Sequence, residues 1–427
     1  MRRILEVQRE INGEFQKVGD LLEGAGGIRF AYDQAYLQSP NAVSIATGFP
    51  LDLEAATLER TRAFFDGLLP EGPLRRQFDE AFRADTSDYV KVLAQLNFET
   101  AGALIFCEEG ADPMRNRSYR PLDFIDLDAF ATRPLPEAFN RDITSRLSLA
   151  GAQTKIGLMH LGDNMRQGWQ QPIGSAPSTH ILKACSGVFP GQTVNEALCM
   201  GTAAELEFEA AECQLIAIKG EEPLLAVKRF DRREEDGAPF PNRLHQEDLG
   251  QALLLAGNFK YEPTDGHYAA LITGAINRLS SNPFGDRVVF FRRLLFDWLV
   301  GNCDNHLKNH SFVWSADWTQ RELSPLYDVT CTTFYPALDK EMGVSLCPSR
   351  RVDEVTVSDL EELAKTVGIP NMIALAEAAE LKERFLGALQ AAEERIAAEG
   401  FPIVNDIASH IKETAEAKLK VLDNLSR

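Results

Sequence analysis

Hydrophobic periodicity changes character once along this chain, and that change limits the folds open to it. Up to about residue 230 the apolar residues come mostly in short strand-like pieces, among them "KIGLMHL", "STHILKA" and "PLLAVKRFDR". From His245 onward a period of 3.6 dominates, in "QEDLGQALLLAG", "YAALITGAINRLS", "DRVVFFRRLLFDWLVG", "VSDLEELAKTV" and "MIALAEAAELKERFLGALQAAEERIAAEG". A chain that is β-rich in its middle and α-rich afterwards is expected to fold as an α+β protein with its elements segregated.

Punctuation divides the chain into three segments. Residues 1–105 mix strand-like pieces with one helical stretch, Leu53 to Leu69, and then "FDGLLPEGPLRRQF", whose Pro-Gly-Pro pattern reads as helix, turn, helix. Residues 106–230 open on a polar connector, 106–140, and continue as β structure: "SRLSLAGAQTKIGLMHL" reads as strand, turn, strand. One helix interrupts them, "TVNEALCMGTAAEL", with Thr193 as N-cap and Glu196 as its capping-box partner. Residues 231–427 read as an all-helical segment.

Charge and cysteine content exclude several classes. A net charge of −19 argues against non-specific nucleic-acid binding by the chain alone, because phosphate neutralisation needs clustered Lys and Arg. Any DNA contact would have to come through a basic partner. Seven scattered cysteines with no C-x-x-C pair argue against a disulfide framework or a structural zinc and point to a reducing compartment. The opening "MRRILEVQREINGEF" lacks the apolar centre of a signal peptide, and "VVFFRRLLFDWLVG" is interrupted by Arg292, Arg293 and Asp297. A cytoplasmic protein with no membrane contact is expected.

The residues that carry chemistry begin with "GNCDNHLKNH", Gly301 to His310, placed directly after an apolar helix. Asp304 and Asn309 stand in the spacing D-x-x-x-x-N, in which an Asp accepts the proton of an attacking hydroxyl and an Asn holds Mg²⁺. Magnesium prefers oxygen ligands and takes one or two carboxylates plus phosphates, so a second carboxylate is needed. Asp328 in "LSPLYDVTCTT" supplies it. "SLAGAQTK", Ser148 to Lys155, is neither a Walker A loop nor a G-x-G-x-x-G loop, but its small residues would let backbone N–H groups approach phosphate oxygens. Lys183 ends a short strand, where its ammonium would reach nucleotide phosphates, oriented by Glu196. Lys228 to Phe230 end another strand and suit a hinge whose backbone holds an adenine edge. Taken singly, each has a plain alternative: a chance loop, a hairpin turn, a surface lysine, a helix cap, a salt-bridged turn. Their order along the chain is what points to phosphoryl transfer.

Those residues resemble the HipA family of bacterial serine/threonine kinases, the toxins of HipA–HipB type toxin–antitoxin modules. "VGDLLEGAGGIRFAYDQAYL", "GFPL" and "FFDGLLPEGPLRRQF" resemble the family's N-terminal subdomain. "SLAGAQTK", "THILK", "NEALCMGTAAELE", "VKRFDRR", "QEDLGQAL", "LVGNCDNHLKNHS" and "LSPLYDVT" resemble its kinase core. The resemblance implies a protein-kinase-like bilobal fold with a β-rich N-lobe, an extra N-terminal subdomain and a helical C-lobe. It implies ATP and Mg²⁺ as cofactors. The phosphate-binding loop would be Ala150, Gly151, Ala152, Gln153, Thr154 and Lys155, with Lys183 on the phosphates and Lys228, Arg229 and Phe230 as the adenine hinge. Asp304 would be the proton acceptor. His306, Leu307, Lys308 and Asn309 would line the nucleotide and metal site, which Tyr327 and Asp328 complete, with Asn309 and Asp328 on the metal. Ser148 stands where the family carries an autophosphorylated serine that inactivates the enzyme. The implied partners are a HipB-like helix-turn-helix antitoxin, DNA only through that antitoxin, and an aminoacyl-tRNA synthetase as substrate, glutamate–tRNA ligase being the family example. Lys228 departs from the pattern, standing where some members have Glu; a backbone hinge contact would survive that, a side-chain contact would not. Two other readings are a non-catalytic co-repressor scaffold for an antitoxin and a small-molecule phosphotransferase.

Overall fold

The change of period in the sequence is realised as a change of element. A computed structural model of the chain describes residues 2–53, 55–69, 75, 89–95, 99–132, 155–185, 187–220, 222–255 and 259–425. The chain forms two compact units, the first comprising 1–186, 216–257 and 313–320, the second 187–215, 258–312 and 321–427. The fold is α+β, with sheets concentrated in the first unit and helices in the second.

In the first unit, β1 (Arg2–Ile11), β2 (Glu14–Gly24), β3 (Gly27–Tyr32) and β4 (Leu104–Cys107) form an antiparallel sheet in the order β3-β2-β1-β4. Ile11 pairs with Glu14, so Asn12 and Gly13 make a two-residue turn, both with left-handed backbone (φ 51° and 83°). Asn-Gly is the pair that adopts this twist at least cost. The helical stretch begins later than expected, at Leu58 rather than Leu53, and ends at Gly67, because the Thr57 side chain caps it by accepting from the Arg60 N–H. Its Phe64 and Phe65 pack edge-on against Phe49, with centroids 5.4 and 5.9 Å away, and Phe30 meets Phe49 at 5.3 Å. Most of the Pro-Gly-Pro stretch that follows lies outside the described residues.

Five strands of a six-stranded sheet lie wholly in this unit: β5 (Ser118–Pro121), β6 (Lys155–His160), β7 (Trp169–Ile173), β8 (His180–Lys183) and β9 (Leu224–Lys228), in the order β5-β7-β6-β8-β9, with β9 not at the edge. The stretch read as a polar connector thus supplies strand β5, and a helix, Phe124–Thr132, follows it. Just past β9 lies a buried ion network. The Arg229 guanidinium donates to both carboxylate oxygens of Asp231 (2.8 and 2.7 Å), to Glu99 (2.5 Å) and to the Thr100 carbonyl (2.9 Å). Arg232 donates to the Gly102 and Thr100 carbonyls (3.1 and 3.0 Å). Burial works against the Asp231 charge, yet Arg229 and Arg232 hold its carboxyl well below the usual range.

The second unit packs the helices Gln192–Glu205, Tyr268–Leu279, Pro283–Val300, Val357–Val367, Asn371–Ala398 and Ile403–Leu425. The helix Pro283–Val300 shows why its sequence is bounded as it is. Asn282 caps it, Pro283 opens it where no N–H is needed, and Gly301 (φ 79°) closes it in the left-handed conformation. The helix Gln192–Glu205 departs from expectation. Its N-cap is Gly191 (φ 71°) with no side-chain cap, so Thr193 is the second helical residue and the Thr193–Glu196 capping box does not form. A Cβ on Gly191 would lie 2.7 Å from the Ile403 side chain, so close packing as well as the left-handed backbone favours glycine at this cap. Nor is the C-terminal part all-helical: Glu341–Leu346 pairs with Ser349–Arg351 as an antiparallel ribbon. The six-residue "EMGVSL" is too short for periodicity to reveal.

The ion network gives a direct test of packing. Arg229→Met leaves the Glu99 and Asp231 carboxylates buried without their main cation, and the expected cost is about 3–5 kcal/mol. Thermal unfolding should show a drop of many degrees; an unchanged midpoint would mean that the network does not hold the unit.

Candidate active site

The loop after the helix Pro283–Val300 is shaped almost entirely by side chains bonding to backbone. Asn302 donates to buried Asp297 (2.7 Å) and accepts from the Asp304 N–H (3.1 Å). Burial pushes the Asp297 carboxyl up to about 7, against the opposing influence of Asn302 and Arg293. The Thr332 hydroxyl accepts from the Cys303 N–H (2.8 Å) and donates to the Gly301 carbonyl (3.1 Å). Asn305 brackets Val344 of the ribbon, donating to its carbonyl (3.3 Å) and accepting from its N–H (3.1 Å). Asn309 donates its amide N–H to the Asp304 carbonyl (2.7 Å), closing the six-residue spacing into a ring. Lys418, buried on the helix Ile403–Leu425, donates to the last carbonyls of the preceding helix, Trp298 (2.6 Å) and Leu299 (3.4 Å). No motif in the sequence marks that helix; its buried lysine breaks an otherwise apolar face.

Against this bonded frame one carboxylate stands out. The Asp304 side chain is 51% exposed, and its Oδ1 accepts from the Tyr261 hydroxyl at 2.5 Å. His306 Nε2 lies 3.9 Å from the same oxygen. Leu307 is fully buried, so its side chain packs in the core, and only its backbone is left to line a site. Lys308 is half-buried, and its carbonyl accepts from the Tyr327 hydroxyl (2.8 Å), which also bonds the Ser311 hydroxyl (2.5 Å).

Next to Tyr327, Asp328 adopts a left-handed backbone, φ 61°, unusual for a residue with a side chain. Neighbours on both sides hold it there. Leu326 exchanges backbone bonds with Glu209 (2.7 Å) and Ala211 (2.9 Å), while Asn195 brackets Cys331, donating to its carbonyl (3.0 Å) and accepting from its N–H (2.8 Å). Asn195 had not been singled out in the sequence; its neighbour Glu196 had, and the structure buries Glu196 in the same helix. The donor set suits a hard cation: with its nitrogen committed to Asp304, Asn309 has an amide oxygen to offer, and Asp328 has a carboxylate. Among the described residues there is no cluster of three or more His, Cys, Asp or Glu that could hold a metal alone. Magnesium takes oxygen ligands and uses one or two carboxylates when substrate phosphates complete its shell.

In the first unit Lys155 and Lys183 are direct partners across the antiparallel pair β6–β8, and both are buried. Partners of this kind share one face of the sheet with Cβ atoms about 5 Å apart. At the end of β9 the Arg229 N–H donates to the Thr179 carbonyl (2.9 Å), so strand alternation turns the backbone groups of Lys228 and Phe230 the other way. Lys228 is exposed, whereas the Arg229 guanidinium is engaged in the ion network and has no donor to spare for a nucleotide. Ser148 and Ala150 to Thr154 lie outside the described residues.

Similarity to known proteins identifies the family in which these groups occur. Residues 11–107 match the HipA N-terminal domain and residues 147–392 the HipA-like C-terminal domain. The chain is 32% identical over 354 residues to Y4mE of Sinorhizobium fredii, covering 81% of each protein. It is 25% identical over 378 residues to the serine/threonine-protein kinase toxin HipA of Shewanella oneidensis, covering 86% of this chain and 85% of that one. A solved structure of Shewanella oneidensis HipA, in complex with HipB and operator DNA, shares the fold with a TM-score of 0.83 at 22% identity, over 99% of both chains. The chain belongs to the HipA family of serine/threonine kinases. Among the described residues no helix is long and apolar enough to cross a membrane.

Two measurements probe the loop's frame. A Cβ at Gly343 would lie 2.8 and 2.9 Å from the His306 backbone, so Gly343→Ala should displace the loop, lowering the thermal midpoint and any phosphotransfer together. The second concerns His310. Burial foremost, then Arg293 and His306, push its pKa down to about 3. The unfolded chain therefore binds one more proton than the folded one between pH 6.5 and about 3, and stability falls as pH falls through that window. His310→Gln should show a shallower loss of stability between pH 6.5 and 4. Asp297, raised in the fold, works in the opposite direction but cancels in the comparison.

Proposed function

We propose that this chain is an ATP- and Mg²⁺-dependent serine/threonine-protein kinase acting as the toxin of a toxin–antitoxin module. The observation that carries the reading is the half-exposed Asp304 carboxylate on a loop whose other groups are tied down. Such a carboxylate is preorganised to take the proton of an acceptor hydroxyl. Lys155 and Lys183, side by side on one sheet face, contact the phosphates of ATP. Asn309 and Asp328 hold magnesium, with Tyr327, His306 and Lys308 lining the same region. When bound, the ion neutralises charge on the transferring phosphoryl group. The backbone groups of Lys228 and Phe230 hold the adenine edge, which leaves the Lys-for-Glu departure at 228 without consequence.

The acceptor is the serine hydroxyl of a protein, by family analogy an aminoacyl-tRNA synthetase such as glutamate–tRNA ligase, so that phosphorylation halts translation in the cytoplasm. A HipB-like helix-turn-helix antitoxin is the expected partner; the excess negative charge of this chain suits contact with DNA only through that antitoxin. Ser148 is the autophosphorylation site. A phosphate placed in a loop built for ATP phosphates repels the nucleotide and shuts the enzyme off.

Mass spectrometry of the dephosphorylated chain after incubation with Mg²⁺-ATP tests this. Phosphate should appear on Ser148 in the unsubstituted chain and be absent from Asp304→Asn, which should still bind ATP with nearly unchanged affinity. Equal losses of binding and turnover would remove Asp304 from the base role. Nucleotide binding without any phosphate incorporation would favour a scaffold or a small-molecule acceptor.

A further inference from the structure

The kinase motifs leave Tyr261 without a part, yet its hydroxyl donates to Asp304 Oδ1 at 2.5 Å. The residue is 46% exposed, and Phe259 two positions earlier is 48% exposed. A hydrogen bond so open to water contributes little to folding, so stability gives no reason for it. The backbone around Tyr261 is nevertheless held firmly. The Phe259 carbonyl accepts from the Tyr268 hydroxyl (2.5 Å), and the Lys260 carbonyl accepts from the Leu307 N–H (3.1 Å). Glu262 donates its N–H to the Gly343 carbonyl (3.0 Å) and its carboxylate accepts from the Ser345 and Tyr268 N–H groups (2.7 and 3.0 Å). The Tyr261 ring stands edge-on to His306, with centroids 5.1 Å apart, and the Lys260 ammonium lies 5.0 Å from its centre. The residues on both sides of Tyr261 are therefore tied to the catalytic loop or to the ribbon beneath it, and the phenol is presented to one oxygen of one carboxylate.

We propose that Tyr261 is a positioning residue for phosphoryl transfer: its hydroxyl holds Oδ1 of Asp304, turning Oδ2 toward the acceptor hydroxyl, and its exposed ring with Phe259 forms the wall against which the acceptor segment lies. Oδ2 accepts no hydrogen bond from the described residues, so it is the oxygen available as base. In the step, the acceptor's hydroxyl proton passes to Oδ2 while its oxygen bonds to the γ-phosphorus. The bond from that phosphorus to the bridging oxygen breaks, and ADP leaves with the electron pair. A carboxylate free to rotate would spend part of its time with neither oxygen aimed at the acceptor, and misplacement of a base lowers the rate of the chemical step rather than the binding of nucleotide.

This inference rests on the kinase reading above, and one experiment separates the two. The rate of phosphate incorporation into the dephosphorylated full-length chain is followed against ATP concentration for the unsubstituted protein, Tyr261→Phe and Asp304→Asn. Tyr261→Phe keeps the ring and removes only the donor. Its maximal rate should fall by about tenfold, the scale of losing one hydrogen bond to a charged group. Half-saturation by ATP and the thermal midpoint should stay unchanged. A general structural disturbance would move all three. A Tyr261→Phe rate equal to that of the unsubstituted chain overturns the positioning role. A higher rate would do so as well, because it would mean that the phenol blocks the base instead of aiming it. No incorporation by the unsubstituted chain overturns the kinase reading, and this one with it.

Discussion

Side-chain amides bonded to backbone hold the loop around Asp304 in place. Asn305 grips Val344, Asn195 grips Cys331, Asn302 links Asp297 to Asp304, and Asn309 closes on the Asp304 carbonyl. A carboxamide carries a donor and an acceptor on one rigid plane, so it can replace a strand neighbour for a single residue of irregular chain. Irregular backbone buried without such partners would leave polar groups unsatisfied. The loop can therefore be both buried and non-repetitive, which a loop bearing one accurately placed carboxylate has to be. The rest of the second unit serves that frame. The helix Pro283–Val300 delivers the loop, Lys418 caps that helix from the far end of the chain, and Gly343 lets the ribbon approach to backbone contact.

Buried charge in the first unit is handled by pairing. Arg229 and Arg232 share Glu99 and Asp231, and Arg243 meets Glu10. In the same unit two buried lysines, Lys155 and Lys183, are register partners across a strand pair. In a chain with 63 acidic residues against 44 basic ones, such a juxtaposition is the opposite of what average composition would produce. Arg229 is adjacent in sequence to Lys228, one pointing into the ion network and the other into solvent.

Much of this was legible in the residues alone. Helices with a clean apolar stripe and proper punctuation, such as Pro283–Val300 between Asn282 and Gly301, or Val357–Val367 behind Thr356, fall where periodicity and capping chemistry put them. The order of chemical groups along the chain pointed to phosphoryl transfer, and the family match is consistent with it. The failures share a cause. The helix Gln192–Glu205 starts at Gly191, which packs against Ile403, more than two hundred residues away, and not at Thr193; the strand Glu341–Leu346 pairs with Ser349–Arg351 and lies against the backbone of His306. Such facts depend on which distant segments meet, and no local pattern encodes them.

The sequence by itself determined the segregation of strands from helices, the helix ends where Asn, Pro and Gly impose their own backbone geometry, and the residues carrying chemistry with their spacing. These follow from local sterics and from the period of apolar side chains, which neighbours along the chain already set. Only the tertiary structure decided that Lys155 meets Lys183, that Arg229 turns inward, that Leu307 is core and that Tyr261 reaches Asp304. Each of these depends on strand register or on contacts between segments far apart in the chain, and those are settled only when the whole core packs at once.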